Sequence, residues 1–150
     1  MIDKPDVVGV GYQGLTIDQF IRSLEVMHVT CVVDVRLTPL SRKPGFSKAS
    51  LARALMSHGI SYEHARILGN PKDNRKGFAG NGEQLEAARL RYIRELDTTD
   101  AWSMLDELAA RARTERIAFL CFEAETERCH RHVLLEELQD RHLLSYDVSA

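Results

Sequence analysis

Apolar residues along this chain switch between two periods. Short, nearly continuous apolar runs at 7–11, 29–35, 60–65 and 117–123 alternate with stretches in which apolar positions recur at helical spacing. The first run ends in a glycine-rich turn at Gly14. Thr16 and Gln19 then form a capping box, after which Ile17, Phe20, Ile21 and Leu24 share one helix face. The run 29–35 is β-branched and apolar almost throughout, as expected of a strand covered on both faces. A loop over 36–45, with two prolines and no acid, leads to Ser47 as the next helix cap, and Gly59 stands where a left-handed helix end belongs. Residues 70–82 read as a polar loop, long enough for a lid or a mobile segment. Helices are predicted over 83–96 and 100–113, a further helix over 127–141, and a last strand over 143–148.

Strands alternating with helices predict an α/β fold. The expectation is a mainly parallel sheet of about five strands flanked by helices, a single three-layer domain over residues 1–150. In such a sheet the C-terminal strand ends lie on one side, where ligands of open α/β sheets bind. Tyr12 follows the first strand, Asp34 and Arg36 the second, and Glu123 and Cys129 the fourth, so all of them are expected at one edge.

Composition removes some function classes. The net charge of −2 gives no overall nucleic-acid footprint, so a basic surface would have to be local. No apolar run approaches the roughly 20 residues that span a bilayer, and Met1-Ile2-Asp3-Lys4-Pro5 does not read as a signal peptide. Three unevenly spaced cysteines do not make a disulfide framework, and no C-x-x-C pair suggests a closed zinc site. A cytoplasmic protein is the natural expectation, with no membrane partner. The pattern specifies no cofactor, no metal ligand set and no oligomeric state.

Gly9, Gly11 and Gly14 spell G-x-G-x-x-G, with Asp34 twenty residues on, which mimics a dinucleotide fingerprint. In that fingerprint the third glycine lies inside the first helical turn, whereas Gly14 precedes the cap at Thr16. The alternative is that these glycines let the backbone turn sharply and admit a ligand or a neighbouring loop.

Several side chains carry candidate chemistry. Asp34 and Arg36, two residues apart, should point to one face, either as a structural ion pair or as part of a site. Arg36, Arg42, Lys43 and Lys48 form one acid-free basic segment, and Lys72, Arg75 and Lys76 a second. Together they favour phosphate, a nucleotide or a nucleic-acid backbone. Phe46 and Phe78 either stack a base or plug the core. If Thr126 caps the last long helix, Cys129 lies in its first turn, where the helix terminus and Arg128, His130 and Arg131 would lower its pKa. His130 would then point about 100° away around the helix, a poor geometry for a Cys–His pair. The spacing Cys121 to Arg128 is C-x6-R rather than the C-x5-R of phosphatase loops. Cys31 and Cys121 are expected to be buried and inert. Glu123 needs a partner at its strand end and is a candidate general base, or a metal ligand with Asp34.

The pieces Val10-Gly11-Tyr12-Gln13-Gly14, Val33-Asp34-Val35-Arg36, Pro39-Leu40-Ser41-Arg42-Lys43-Pro44-Gly45-Phe46-Ser47-Lys48, Leu68-Gly69-Asn70-Pro71-Lys72, Leu120-Cys121-Phe122-Glu123 and Cys129-His130-Arg131 resemble, in order, the DUF488 family of small bacterial and archaeal proteins of unknown function. The family more often has Glu at the position of Gln13, Ala at that of Phe122 and Pro near Thr126. The resemblance implies a compact α/β protein with one shared site, and it implies no reaction.

The expected function is therefore anion binding at the C-terminal sheet edge, with hydrolytic or transfer chemistry on a phosphorylated small molecule, nucleotide or nucleic acid. Tyr12, Arg36, Ser41, Arg42 and Arg131 would hold the ligand. Asp34, Glu123, Cys129 and His130 would supply acid, base or nucleophile. The competing reading is a non-catalytic nucleic-acid-binding or interaction module built on the basic loops.

Overall fold

The computed structural model describes residues 7–142 and 146–147. Its elements follow the alternation of periods. Strand β1 (Val7–Gly11) leads to helix α1 (Ile17–Val26), β2 (Cys31–Asp34) to α2 (Lys48–Met56), and β3 (Ser61–His64) to the short α3 (Arg75–Phe78), α4 (Gly82–Leu96) and α5 (Thr99–Arg111). Strand β4 (Ile117–Cys121) is followed by α6 (His130–His142) and the two-residue β5 (Tyr146–Asp147). The other residues of the last predicted strand lie outside the described residues. The sheet thus has four full strands, with β5 a minor addition at its edge.

All pairings are parallel, in the order β3-β2-β4-β1-β5. Helices cover both faces. On one side, α1 and α2 pack Phe20, Ile21, Leu24, Leu51 and Leu55 against Val8, Val10, Val32, Ala118 and Leu120. On the other, α4, α5 and α6 pack Tyr92, Leu105, Leu134 and Leu138 against Val7, Cys31, Val33 and Phe119. Period two along β4 divides its residues between these layers, which is why the run reads as uniformly apolar. Among the described residues no helix is long and apolar enough to cross a membrane.

The strand order positions the site. From β1 the chain moves over β4 to β2 and then to β3. From β3 it returns to β4, and from β4 it passes over β1 to β5. Connections therefore leave the adjacent strands β2 and β4 outward in opposite directions, to β3 and to β5, a topological switch point, and a crevice opens beyond their carboxyl ends.

Local sequence signals explain most element ends. Thr16 and Gln19 form the reciprocal capping box of α1, and Asn81 and Gln84 form a second at α4. Gly14, Gly45 and Gly59 adopt positive φ. Two expectations are corrected. Residues 70–82 are not an open polar loop. They hold a 3-10 turn (Lys72–Asn74) and α3, pinned where buried Asn74 donates to Asn70 Oδ1 and to the Ala88 carbonyl, with Phe78 buried beneath. The helix predicted over 127–141 is interrupted. A 3-10 turn (Thr126–Arg128) precedes it, Cys129 is extended (φ −147°, ψ 155°), and α6 begins at His130.

Candidate functional site

Past the end of β2, Arg36 folds back onto Asp34. Its backbone N–H and Nε donate to Asp34 Oδ1 (3.1 and 2.9 Å), and Nη2 donates to Oδ2 (2.7 Å). Tyr62 donates to the same Oδ2 at 2.5 Å. Both Asp34 oxygens thus accept two hydrogen bonds each. Arg36 Nη1 donates to the Phe46 carbonyl (2.7 Å) and to the Tyr12 hydroxyl (3.2 Å). Tyr12 stacks on Phe46 with centroids 4.3 Å apart. This buried pair ties the ends of β1, β2 and β3 to the 36–48 loop. Burial alone would lower the Arg36 pKa, but Asp34 outweighs it and raises it further. Burial, then the bond to Asp34, pushes the Tyr62 phenol above its ordinary value.

On the opposite layer, the end of β4 meets the start of α6. Because Cys129 is extended rather than helical, its sulfur turns back towards His130, and Sγ lies 3.4 Å from Nδ1. The pairing that a continuous helix would forbid is therefore present. The Cys121 sulfur reaches the same point, within 4.8 Å of the Cys129 sulfur. Burial pushes the Cys129 thiol up, but the neighbouring Cys121, His130 and Arg131 outweigh it and hold Cys129 well below the ordinary thiol range. Cys121 is pushed well above, by the neighbouring Cys129 and then by burial. His130 Nε2 lies 2.8 Å from the Val35 carbonyl oxygen. A carbonyl only accepts, so Nε2 carries hydrogen, and whenever the ring is neutral its lone pair is on Nδ1, facing the sulfur. The ligand atoms of Cys121, Cys129 and His130 all lie within 4.8 Å of one another.

Between these two clusters lies a cavity of about 280 Å³ at the switch point. Tyr12, Arg36 and Thr38 line it from the ends of β1 and β2, Asn70, Lys72 and Arg75 from the segment before α4, and Cys121 and His130 from the floor. Leu37, Leu40 and Phe122 add an apolar rim. Among the described residues three cations border the cavity and no carboxylate does.

The sequence-predicted residues divide accordingly. Tyr12, Arg36 and His130 line the cavity; Asp34 and Cys129 stand directly behind it, each fully or nearly fully buried. Glu123 faces a neighbouring cleft. Its Oε1 accepts from Arg75 at 2.9 Å, and its carbonyl accepts from Arg131 Nη2. The Arg131 side chain is completely buried, with Nε and Nη1 unpaired. Ser41 and Arg42 lie away from the cavity. The Ser41 hydroxyl accepts from Lys43 N, its backbone bonds Ser47, and Arg42 is exposed. Asn70, Thr38 and Cys121 were not singled out as site residues, although Asn70 and Cys121 stand in the motifs that carry the family resemblance. Phe46 and Phe78 are core plugs rather than stacking platforms. The fingerprint glycines serve close approach. A Cβ on Gly11 would stand 1.9 Å from the Glu123 carbonyl oxygen, and one on Gly9 3.1 Å from Thr126 Oγ1.

The family model described as "Domain of unknown function DUF488" matches residues 16–138. No curated protein and no solved structure matches the chain.

Proposed function

The chain belongs to the DUF488 family, and we propose that its switch-point cavity binds a small anionic ligand, a phosphorylated molecule or nucleotide, as the substrate of a hydrolase or transferase. The observation that carries this reading is the lining: Arg36, Lys72 and Arg75 with no acid among them. Arg36 is already matched by Asp34, and Arg75 by Glu123. Lys72 has no ion-pair partner among the described residues, so it is the cation freest to take a ligand's charge. Tyr12, Thr38 and Asn70 add neutral polar groups, and the exposed Phe122 and Leu40 suit an apolar or aromatic portion of the ligand beside its anionic head.

The residue roles shift from those the sequence suggested. Ligand holding passes from Ser41, Arg42 and Arg131 to Lys72 and Arg75. Asp34 orients Arg36 rather than moving protons, since both its oxygens are fully engaged. Cys121 and His130 stand at the cavity wall, with Cys129, the thiol held low, behind them.

Calorimetry and thermal shift with phosphate, pyrophosphate, nucleoside monophosphates and a single-stranded oligonucleotide test the reading. A bound anion at 100 times its Kd should stabilise the protein by about 2.7 kcal/mol. Lys72→Ala should weaken that binding about tenfold, roughly 1.4 kcal/mol. Binding that Lys72→Ala leaves unchanged, or no binding of any small anion, contradicts the proposal. An oligonucleotide that binds where small anions do not would move the reading to the non-catalytic nucleic-acid module.

A further inference from the structure

We propose that Cys121, Cys129 and His130 form a zinc site with one coordination position open to the cavity. The three ligand atoms already lie within 4.8 Å of one another. Zinc bonds of about 2.3 Å to sulfur and about 2.05 Å to nitrogen at tetrahedral angles put S and N about 3.6 Å apart; Cys129 Sγ and His130 Nδ1 are 3.4 Å apart. The ring is held in the tautomer a metal needs. Nε2–H donates to the Val35 carbonyl, the outer-shell bond typical of metal-ligating histidines, and the Nδ1 lone pair faces the sulfurs. Tyr92 packs edge-on against the ring, with centroids 5.0 Å apart, and fixes its plane.

The donor set selects the metal class. Two sulfurs and an imidazole, with no oxygen ligand, suit a borderline-soft ion such as Zn2+ and not Mg2+ or Ca2+. Three protein ligands are one short of a closed structural site, and Cys121 and His130 both line the cavity, so the fourth position faces it. Charge counting agrees. Zn2+ with two thiolates is neutral, and metal binding releases the thiol protons to solvent. Buried Arg131, which has unpaired Nε and Nη1 and no carboxylate partner among the described residues, acts on both thiols and so leaves one positive charge near the metal-bound sulfurs. An anion, hydroxide or a ligand oxygen, completes the fourth position. The metal-binding claim stands on the three ligands and does not depend on the anion-ligand reading.

The test is cobalt and zinc titration of the full chain after chelator treatment under a reductant, with no phosphate present. One equivalent of Co2+ should bind with thiolate-to-cobalt charge-transfer bands and the intense visible bands of a tetrahedral site, and Zn2+ should displace it. Cys121→Ser and Cys129→Ser should each weaken binding by more than about tenfold, the lower end of what losing even an outer-shell partner costs. Cys31→Ser, the cysteine outside the cluster, should leave it unchanged. X-ray absorption of the zinc-loaded wild-type protein should give two sulfur ligands and one imidazole, a result independent of whether the variants fold. Cobalt binding without thiolate bands, zinc coordinated only by oxygen and nitrogen, or no stoichiometric binding overturns the site.

Discussion

At the scale of single residues, the Asp34–Arg36 pair decides how the sheet edge is built. Each carboxylate oxygen accepts two hydrogen bonds, and the guanidinium spans the layer from Asp34 to the Phe46 carbonyl. Removing one partner of a buried pair strands the other charge. Arg36→Ala is therefore expected to lower the unfolding free energy by about 3–5 kcal/mol in urea denaturation; a loss below about 1 kcal/mol would mean that water or another cation already serves Asp34. Tyr62 adds a pH signature. Its phenol is held above the ordinary value of about 10. A group raised in the folded state contributes stability that is complete below its unfolded value and lost as pH rises through the folded one. Wild-type stability should thus decline above about pH 10, and Tyr62→Phe should remove that part of the decline in denaturant melts run across pH. The pairing of Asp34 with Arg36 was legible in the sequence, because i and i+2 share a face. The distance of Ser41 and Arg42 from the cavity was not, because the 36–48 loop turns on Ser41–Ser47 and Ser41–Lys43 bonds that no periodicity encodes.

At the scale of elements, the junction of β4 with α6 depends on β1. Gly11 lies against the chain at Glu123, where an added Cβ would meet backbone, while at Gly9 it would meet mainly the Thr126 side chain. Gly11→Ala should therefore cost about 3 kcal/mol or more, beyond the usual overpacking range, and Gly9→Ala about 1 kcal/mol. Thermal melts of the two variants should rank in that order; equal effects would mean that the junction shifts freely. Helix beginnings such as Thr16 were legible because capping residues name themselves. The break at Cys129 was not. Apolar spacing carries through residues 127–141 at helical period, and nothing local announces that one residue is extended. That single residue converts a Cys–His pair that helix geometry excludes into one 3.4 Å apart.

At the scale of the whole molecule, the strand order brings everything to one place. Alternation of strand and helix along the chain points to the α/β class and the parallel sheet, and the residues that follow strand ends do gather on one edge. The insertion of β4 between β1 and β2 is a tertiary choice, set by how the two helical layers cover the sheet, and it creates the switch point. The basic wall of the cavity comes from Lys72 and Arg75, in a segment whose short helices are fixed by Asn74 and Phe78. Local polarity concealed that order. The central claim, one anion site at this switch point, is tested most directly by a backbone and side-chain NMR titration with pyrophosphate. Shifts confined to Tyr12, Arg36, Asn70, Lys72 and Arg75 are the predicted result. Shifts centred on Arg42 and Lys48 in the exposed loop, or none at saturating pyrophosphate, would contradict it.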